Sequence, residues 1–389
     1  MMPPTNFRNS RFLKRSPQFS MTTRRRFLQA SAAATTGVIL ANCQRNLSDV
    51  GSSDGGNTAS PTSGSTDTLH VYTWADYTDQ ELADSFTQKT GIRVVSDTYD
   101  SNETMLAKLQ AGGGNIYSVI YPSDYMVQKM IGMGMLTELD KSQIEGVDNL
   151  RDKWSNPGYD PGNAHSIPTT WGTTGLIYNS TVLNPNPEDW AYLWDEQRQI
   201  SRKMTLLDDV REVMGASLRS LGYSYNSVDP AEIEAAHQRL VELKPAIASF
   251  KSFGWEDQLM TGDTVLSMVY SVDAISATLE NPDLNYIIPA SGSSVWTDTM
   301  AIPTTAPNPE AAYAWINFLL EPENAARAVE RLKFATPNQP AFELLSNELK
   351  ENTDLFPPDD VLKNCEGIAP ISQEISELYD RYWTELRSA

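Results

Sequence analysis

The stretch "LHVYTWADYTDQELADSFTQKTGIRVV", Leu69 to Val95, is where the chain changes character and where its fold becomes readable. "LHVYTW" is a short apolar strand of β-branched and aromatic type. "TDQELADSFTQKTG" reads as a helix, with Thr78 and Glu81 as a capping box and Gly91 placed for the C-terminal stop. "IRVVSDTYD" is a second strand, "SNETMLAKLQAGG" a second helix capped by Ser101 or Asn102, and "IYSVIYPSDY" a third strand. The order β-α-β-α-β signals an α/β protein with a parallel sheet. Ligands of such sheets sit beyond the carboxyl ends of the strands. "TWADY" follows the first strand and "YPSDY" the third, so both lie at that edge.

Helix signals recur further on. Asp229 and Asn308 each precede a proline, Pro230 and Pro309, at a first helical position. Gly112 to Gly114 follow a helix and lack the Lys-Ser/Thr of a phosphate-binding loop, so they read as a terminator. The chain has 389 residues, room for two domains. Its formal net charge of −20 excludes a basic nucleic-acid surface. Charge alone fits a cationic ligand and an ordinary soluble acidic surface alike. Cys43 and Cys365 show no CxxC or Cys/His spacing, and His70, His165 and His237 stand far apart, so no metal site is expected.

The N-terminal region reads as an address. "TRRRFLQ", Thr23 to Gln29, resembles the twin-arginine export signal. The mildly apolar run that follows is too short to span a membrane. "LANC", Leu40 to Cys43, resembles a lipoprotein cleavage box, with Asn42 where Gly or Ala is usual. Residues 1–42 are therefore read as a signal peptide with lipidation at Cys43, and Met21 is an alternative start. Residues 43–67 are rich in Gly, Ser and Thr and read as a flexible tether.

Acids and aromatic rings then gather at strand ends. Trp74, Asp76 and Tyr77 follow the first strand, and Ser123 and Tyr125 the third. "LLDDVREV" places Asp209 and Glu212 on one helical turn, as a ligand pair or as a cap with dipole-compensating acids. "MVYSVD" ends a strand with Tyr270 and Asp273. Trp296 and Asp298 stand two apart, on one face of a strand. Aromatic walls with acidic ends suit an alkyl chain that carries ammonium groups.

The combination of "VYTWADY", "YPSDYMVQKM", "LLDDVREVMGASLRSLGYS", "DPAEIEAAHQRL", "WTDTMAIP" and "FATPNQPA" resembles the spermidine/putrescine-binding proteins of bacterial ABC importers. The resemblance covers most of the chain from Leu69. It implies a two-lobed type II periplasmic-binding-protein fold, with a ligand cleft between lobes joined by crossing strands. Lobe I is assigned to residues 68–174 and 297–340, and lobe II to 175–296 and 341–389. It implies no catalysis and no cofactor, a monomer, and a membrane permease as partner. Trp74, Asp76, Tyr77, Ser123, Tyr125, Asp209, Glu212, Trp296 and Asp298 match the family's ligand contacts. Tyr270 stands where the family usually has Trp, and Phe334 where it has Tyr or Phe. Asp273 matches an acid more typical of putrescine binders. Ala75 replaces a Thr or Ser, and the C-terminal Gln of spermidine binders has no counterpart near Ala369. Three acids, Asp209, Glu212 and Asp298, favour spermidine, and Asp273 extends this to putrescine. Alternatives are a binding protein for a sugar, an amino acid or ferric iron, a polyamine sensor, and an enzyme using Asp209 and Glu212 as acid and base.

Overall fold

Strand β1 (Thr68–Trp74) lies between two parallel neighbours, β2 (Arg93–Tyr99) and β3 (Val119–Ile120). The structure, a computed structural model, describes residues 67–388. They fall in the compact unit Pro61–Ala389. The expectations for an export signal and for lipidation at Cys43 lie outside the described residues.

The β-α-β-α-β opening is present, with two local differences. Helix α1 (Gln80–Thr90) is capped by Asp79, which accepts the Leu82 N–H at 2.7 Å, rather than by Thr78. A carboxylate is the stronger acceptor there and also complements the helix dipole. This shift puts Leu82 at the third helical position, so Glu81 completes no capping box. Gly91 ends α1 in the left-handed conformation, as expected. Helix α2 (Asn102–Gln110) is capped by Ser101, and Gly112 turns the chain out of it at φ +98°. The third strand is only two residues long, because Pro122 has no N–H to extend its ladder. Helix α3 (Asp124–Gly132) starts just beyond it.

The sheet has nine strands, in the order β2-β1-β3-β9-β4-β7-β5-β6, with β8 also on β4. The long strand β4 (Ser166–Asn179) ties its halves together. Its first half pairs antiparallel with β9 (Val295–Ala301), from Ser166↔Ala301 to Thr173↔Val295. Its second half pairs with β7 (Leu266–Tyr270) and β8 (Leu284–Ile287). Strands β5 (Met204–Leu206) and β6 (Ile247–Phe250) complete that half, parallel to each other. The α/β fold with crossing strands is therefore the one expected.

Helices α4 (Val210–Ser220), α5 (Pro230–Leu243), α6 (Ser271–Glu280), α7 (Pro309–Leu320), α8 (Pro322–Leu332) and α9 (Gln373–Ser388) cover the sheet. Asp229 and Asn308 cap α5 and α7, each with its proline at the first position. One core joins Val71, Phe86 and Trp315, whose rings meet edge to face at 4.9 Å. Another joins Leu176, Met214, Leu240, Leu266 and Tyr379 of α9. A third sits beside the β4–β9 crossing and packs Leu345, Leu355 and Leu362 on Trp154 and Trp171. These cores anchor the strand ends that carry the site.

Candidate functional site

Asp298 is buried in β9, where Ser123 forms a single antiparallel bridge with it. Both carboxylate oxygens accept from hydroxyls. Ser123 Oγ donates to Oδ1 at 2.6 Å and Tyr77 Oη to Oδ2 at 2.6 Å. Asn102 orients Ser123, donating to its hydroxyl at 3.0 Å and accepting its N–H at 3.1 Å. Burial pushes Asp298 up to about 6, against the pull of Ser123 and Tyr77. The Tyr77 ring rests against Phe334 at 5.3 Å and meets Tyr121 edge-on at 6.0 Å. The turn that delivers Tyr77 is unusual: Asp76 has φ +65°, a conformation that Asp tolerates better than most residues. Arg331 of α8 grips it, donating to Asp76 O at 2.5 Å and Tyr77 O at 3.0 Å and pairing with Asp79 at 3.1 Å. Trp74 lies on Tyr99, with ring centroids 4.5 Å apart.

A second station forms at the start of α4. Asp209 is its N-cap: one oxygen accepts from the N–H groups of Arg211 and Glu212, the other from Tyr270 Oη at 3.4 Å. Glu212, in the first turn, is 2% exposed. Tyr225 Oη donates to it at 2.6 Å, and Ser294 Oγ at 2.8 Å. Burial, then the charge of Asp209, pushes Glu212 up to about 7, and burial also raises Asp209. Gly215 makes this possible: a Cβ there would lie 2.1 Å from the Tyr225 ring. Trp296 stands edge-on to Tyr270 at 6.1 Å and lies over Gly172, its cross-strand partner. A Cβ on Gly172 would come within 2.2 Å of that indole. Asp273, half-buried in the first turn of α6, is pushed up to about 7 by burial and then by Glu256. The two stations are close enough to interact electrostatically. The Tyr77 phenol feels the charge of Asp273, and the Tyr125 phenol that of Asp209.

Among the described residues, no Lys, Arg or His forms an ion pair with Asp209, Glu212, Asp273 or Asp298. Only Arg211 is close enough to ease Asp209 electrostatically. The arrangement is a set of buried carboxylates between aromatic rings, short of positive charge. The description "Bacterial extracellular solute-binding protein" matches residues 81–357. The chain belongs to this family of bacterial extracellular solute-binding proteins. A spermidine/putrescine-binding periplasmic protein of Salmonella typhimurium is 38% identical to this solute-binding protein, over 83% of this chain and 92% of that one. A putrescine-binding periplasmic protein of Pseudomonas aeruginosa is 32% identical, over 82% and 92%. Among solved structures, a spermidine/putrescine ABC transporter substrate-binding protein of Streptococcus pneumoniae superimposes with TM-score 0.75 at 37% identity. It covers 82% of this chain and 98% of that one. These relatives are transporter components rather than enzymes.

In this solute-binding protein, direct hydrogen bonds bring Tyr77, Ser123 and Asp298 together, and likewise Asp209 and Tyr270. Trp296 meets Tyr270 and stands two residues before Asp298 in β9. Tyr125 donates to Glu103 at 3.1 Å. Phe334 is buried behind Tyr77. Asp76 is exposed, and its carboxylate joins none of these groups; only its carbonyl is held, by Arg331. Asp209 is both helix cap and Tyr270 partner, so the two readings of the "LLDDVREV" acids are not exclusive. Asn102, Tyr225, Ser294 and Arg331 escaped sequence reasoning. Ser294 had a signal, since it stands two and four residues before Trp296 and Asp298 and shares their face. Cys365 is a free, half-buried thiol.

Proposed function

We propose that this protein is an extracytoplasmic polyamine receptor that delivers its ligand to an ABC-type importer. The observation that carries the reading is Asp298. It is a buried carboxylate fixed by two hydroxyls and, among the described residues, without an ion-pair partner; Trp296, two residues before it, meets Tyr270, which bonds Asp209. Burying an ammonium is costly unless it is paired. A carboxylate at each end and aromatic faces along methylenes meet that need, each cation–π contact adding about 0.5–2 kcal/mol. The names of the relatives point the same way.

Spermidine is the favoured ligand, because Asp209, Glu212 and Asp298 match its three charges. Putrescine is the second, aided by Asp273. Trp74, Asp76, Tyr77, Ser123, Tyr125, Asp298 and Phe334 form the wall on one lobe, residues 68–174 with 297–340. The other lobe, 175–296 with 341–389, supplies the remaining contacts and closes on the ligand as a hinge. The protein acts as a monomer. It is exported through its twin-arginine segment and anchored by a lipid at Cys43.

A thermal-shift panel of putrescine, spermidine, spermine, basic amino acids, sugars and ferric citrate tests the ligand class. A ligand at a hundredfold excess over Kd adds about 2.7 kcal/mol to the native state. Polyamines are expected to raise Tm. A shift with a sugar or ferric citrate and none with polyamines overturns the reading.

A further inference from the structure

Glu212 takes its side-chain hydrogen bonds from two hydroxyls that lie outside its own helix. Tyr225 stands in the loop after α4, and Ser294 just before β9. A third segment reaches both. The main chain of Glu366 forms a parallel bridge with Ser294: its N–H donates to Ser293 O at 2.8 Å and its carbonyl accepts from Val295 N at 2.9 Å. Its side chain turns to the other partner's loop. Oε1 accepts from Tyr225 N at 3.1 Å and from Arg219 at 3.1 Å, and Oε2 from Ser224 Oγ at 2.5 Å and Asn226 Nδ2 at 3.3 Å. Four donors fill the roughly four acceptor sites of a carboxylate.

The geometry points to Glu366 as a positioning residue for Glu212, its main chain seating Ser294 and its carboxylate seating Tyr225, and thereby as a determinant of triamine over diamine selectivity. The ligand half of this rests on the polyamine reading; the positioning half does not. Both hydroxyls donate to an anionic oxygen, so they favour the ionised form of Glu212 and ready it for an ammonium. Asp209, on the same helical turn, opposes ionisation. Glu212 in turn acts on Asp124, Tyr225, Tyr270 and Tyr286, which are the other titratable groups around it. A diamine held by Asp298 and Asp209 has less need of Glu212.

Glu366→Gln gives opposite signs for two explanations. If Glu366 acted only by its own negative charge, removing it would lower the Glu212 titration midpoint. Loosening Tyr225, which the side chain seats while the main-chain bridge to Ser294 stays, raises it. The readout is carboxyl carbon NMR of the unliganded protein against pH, with Glu212 identified by its absence in Glu212→Gln. The expected result is an upward shift of about 0.5–1 pH unit. Spermidine affinity should fall about fivefold to tenfold, and putrescine affinity by a smaller factor. An unchanged or lowered midpoint overturns the proposal. If Glu366→Gln does not fold, Ser224→Ala removes one of the four donors while keeping the charge, and a smaller upward shift is expected from it. If the midpoint rises but wild-type protein binds neither polyamine, the polyamine reading fails and the positioning role stands.

Discussion

Asp298→Asn is expected to weaken spermidine binding and, at the same time, to stabilise the unliganded protein. The change is close to isosteric, and its surroundings accommodate an amide. Ser123 Oγ, already accepting from Asn102, keeps its proton for the amide oxygen, and Tyr77 accepts from the amide nitrogen. Tyr77 then turns its own proton toward Thr170, now 3.5 Å away. What is lost is the charge. Truncating one partner of a buried charge pair costs about 2–5 kcal/mol of binding, or roughly thirtyfold and upward in Kd. The stability effect has the opposite sign. The folded protein holds Asp298 at about 6 against 3.8 for the free group. A carboxyl raised on folding stabilises the protonated fold, so its penalty is full above pH 6 and gone below pH 4. At 1.36 kcal/mol per unit, the penalty removed by Asn at pH 8 is about 3 kcal/mol. Isothermal calorimetry with spermidine and thermal unfolding at pH 5 and pH 8 read both effects. The variant should melt higher at pH 8 and lose part of the wild-type gain in stability on acidification. Unchanged affinity, or a lower Tm at pH 8 together with a steeper pH dependence, refutes the reasoning.

Two further outcomes follow from the same geometry. A cationic ligand holds Asp298, Glu212 and Asp273 ionised, so polyamine binding should release protons near pH 6–7 and tighten as pH rises from 5.5 to 8. Calorimetry in buffers of different ionisation enthalpy measures the release, and pH-independent affinity contradicts it. Gly215→Ala should destabilise the fold by about 1–3 kcal/mol, because the new methyl meets the Tyr225 ring. Helix propensity alone predicts a gain of about 1 kcal/mol, so the sign in urea unfolding decides between the two.

The elements that announce themselves locally were legible in the sequence. Ser101, Asp229 and Asn308 cap the expected helices, because a cap depends on neighbours two or three residues away. The opening parallel strands and the strand-to-helix junction at Asp209 were legible for the same reason. Thr78 misled because Asp79, one residue on, competes for the same role and accepts more strongly. The site was legible in its acids and rings, which repeat at strand ends, but not in what fixes them. Arg331 reaches Asp76 and Tyr77 across more than 250 positions, and Glu366 reaches Tyr225 across 141. Such contacts depend on how whole elements pack, and no local pattern records them.

Ser294 and Asp298 lie four residues apart, at the entrance to β9 and within it. At about 3.3 Å per residue, the two positions stand about 13 Å apart along the strand. That strand is hydrogen-bonded to β4 over most of its length, so the interval is set by strand geometry rather than by side-chain packing. Inserting or deleting one residue between Ser294 and Asp298 would change that spacing by about 3.3 Å and turn one of the two side chains to the opposite face of the strand, so the pair tolerates no slip in register.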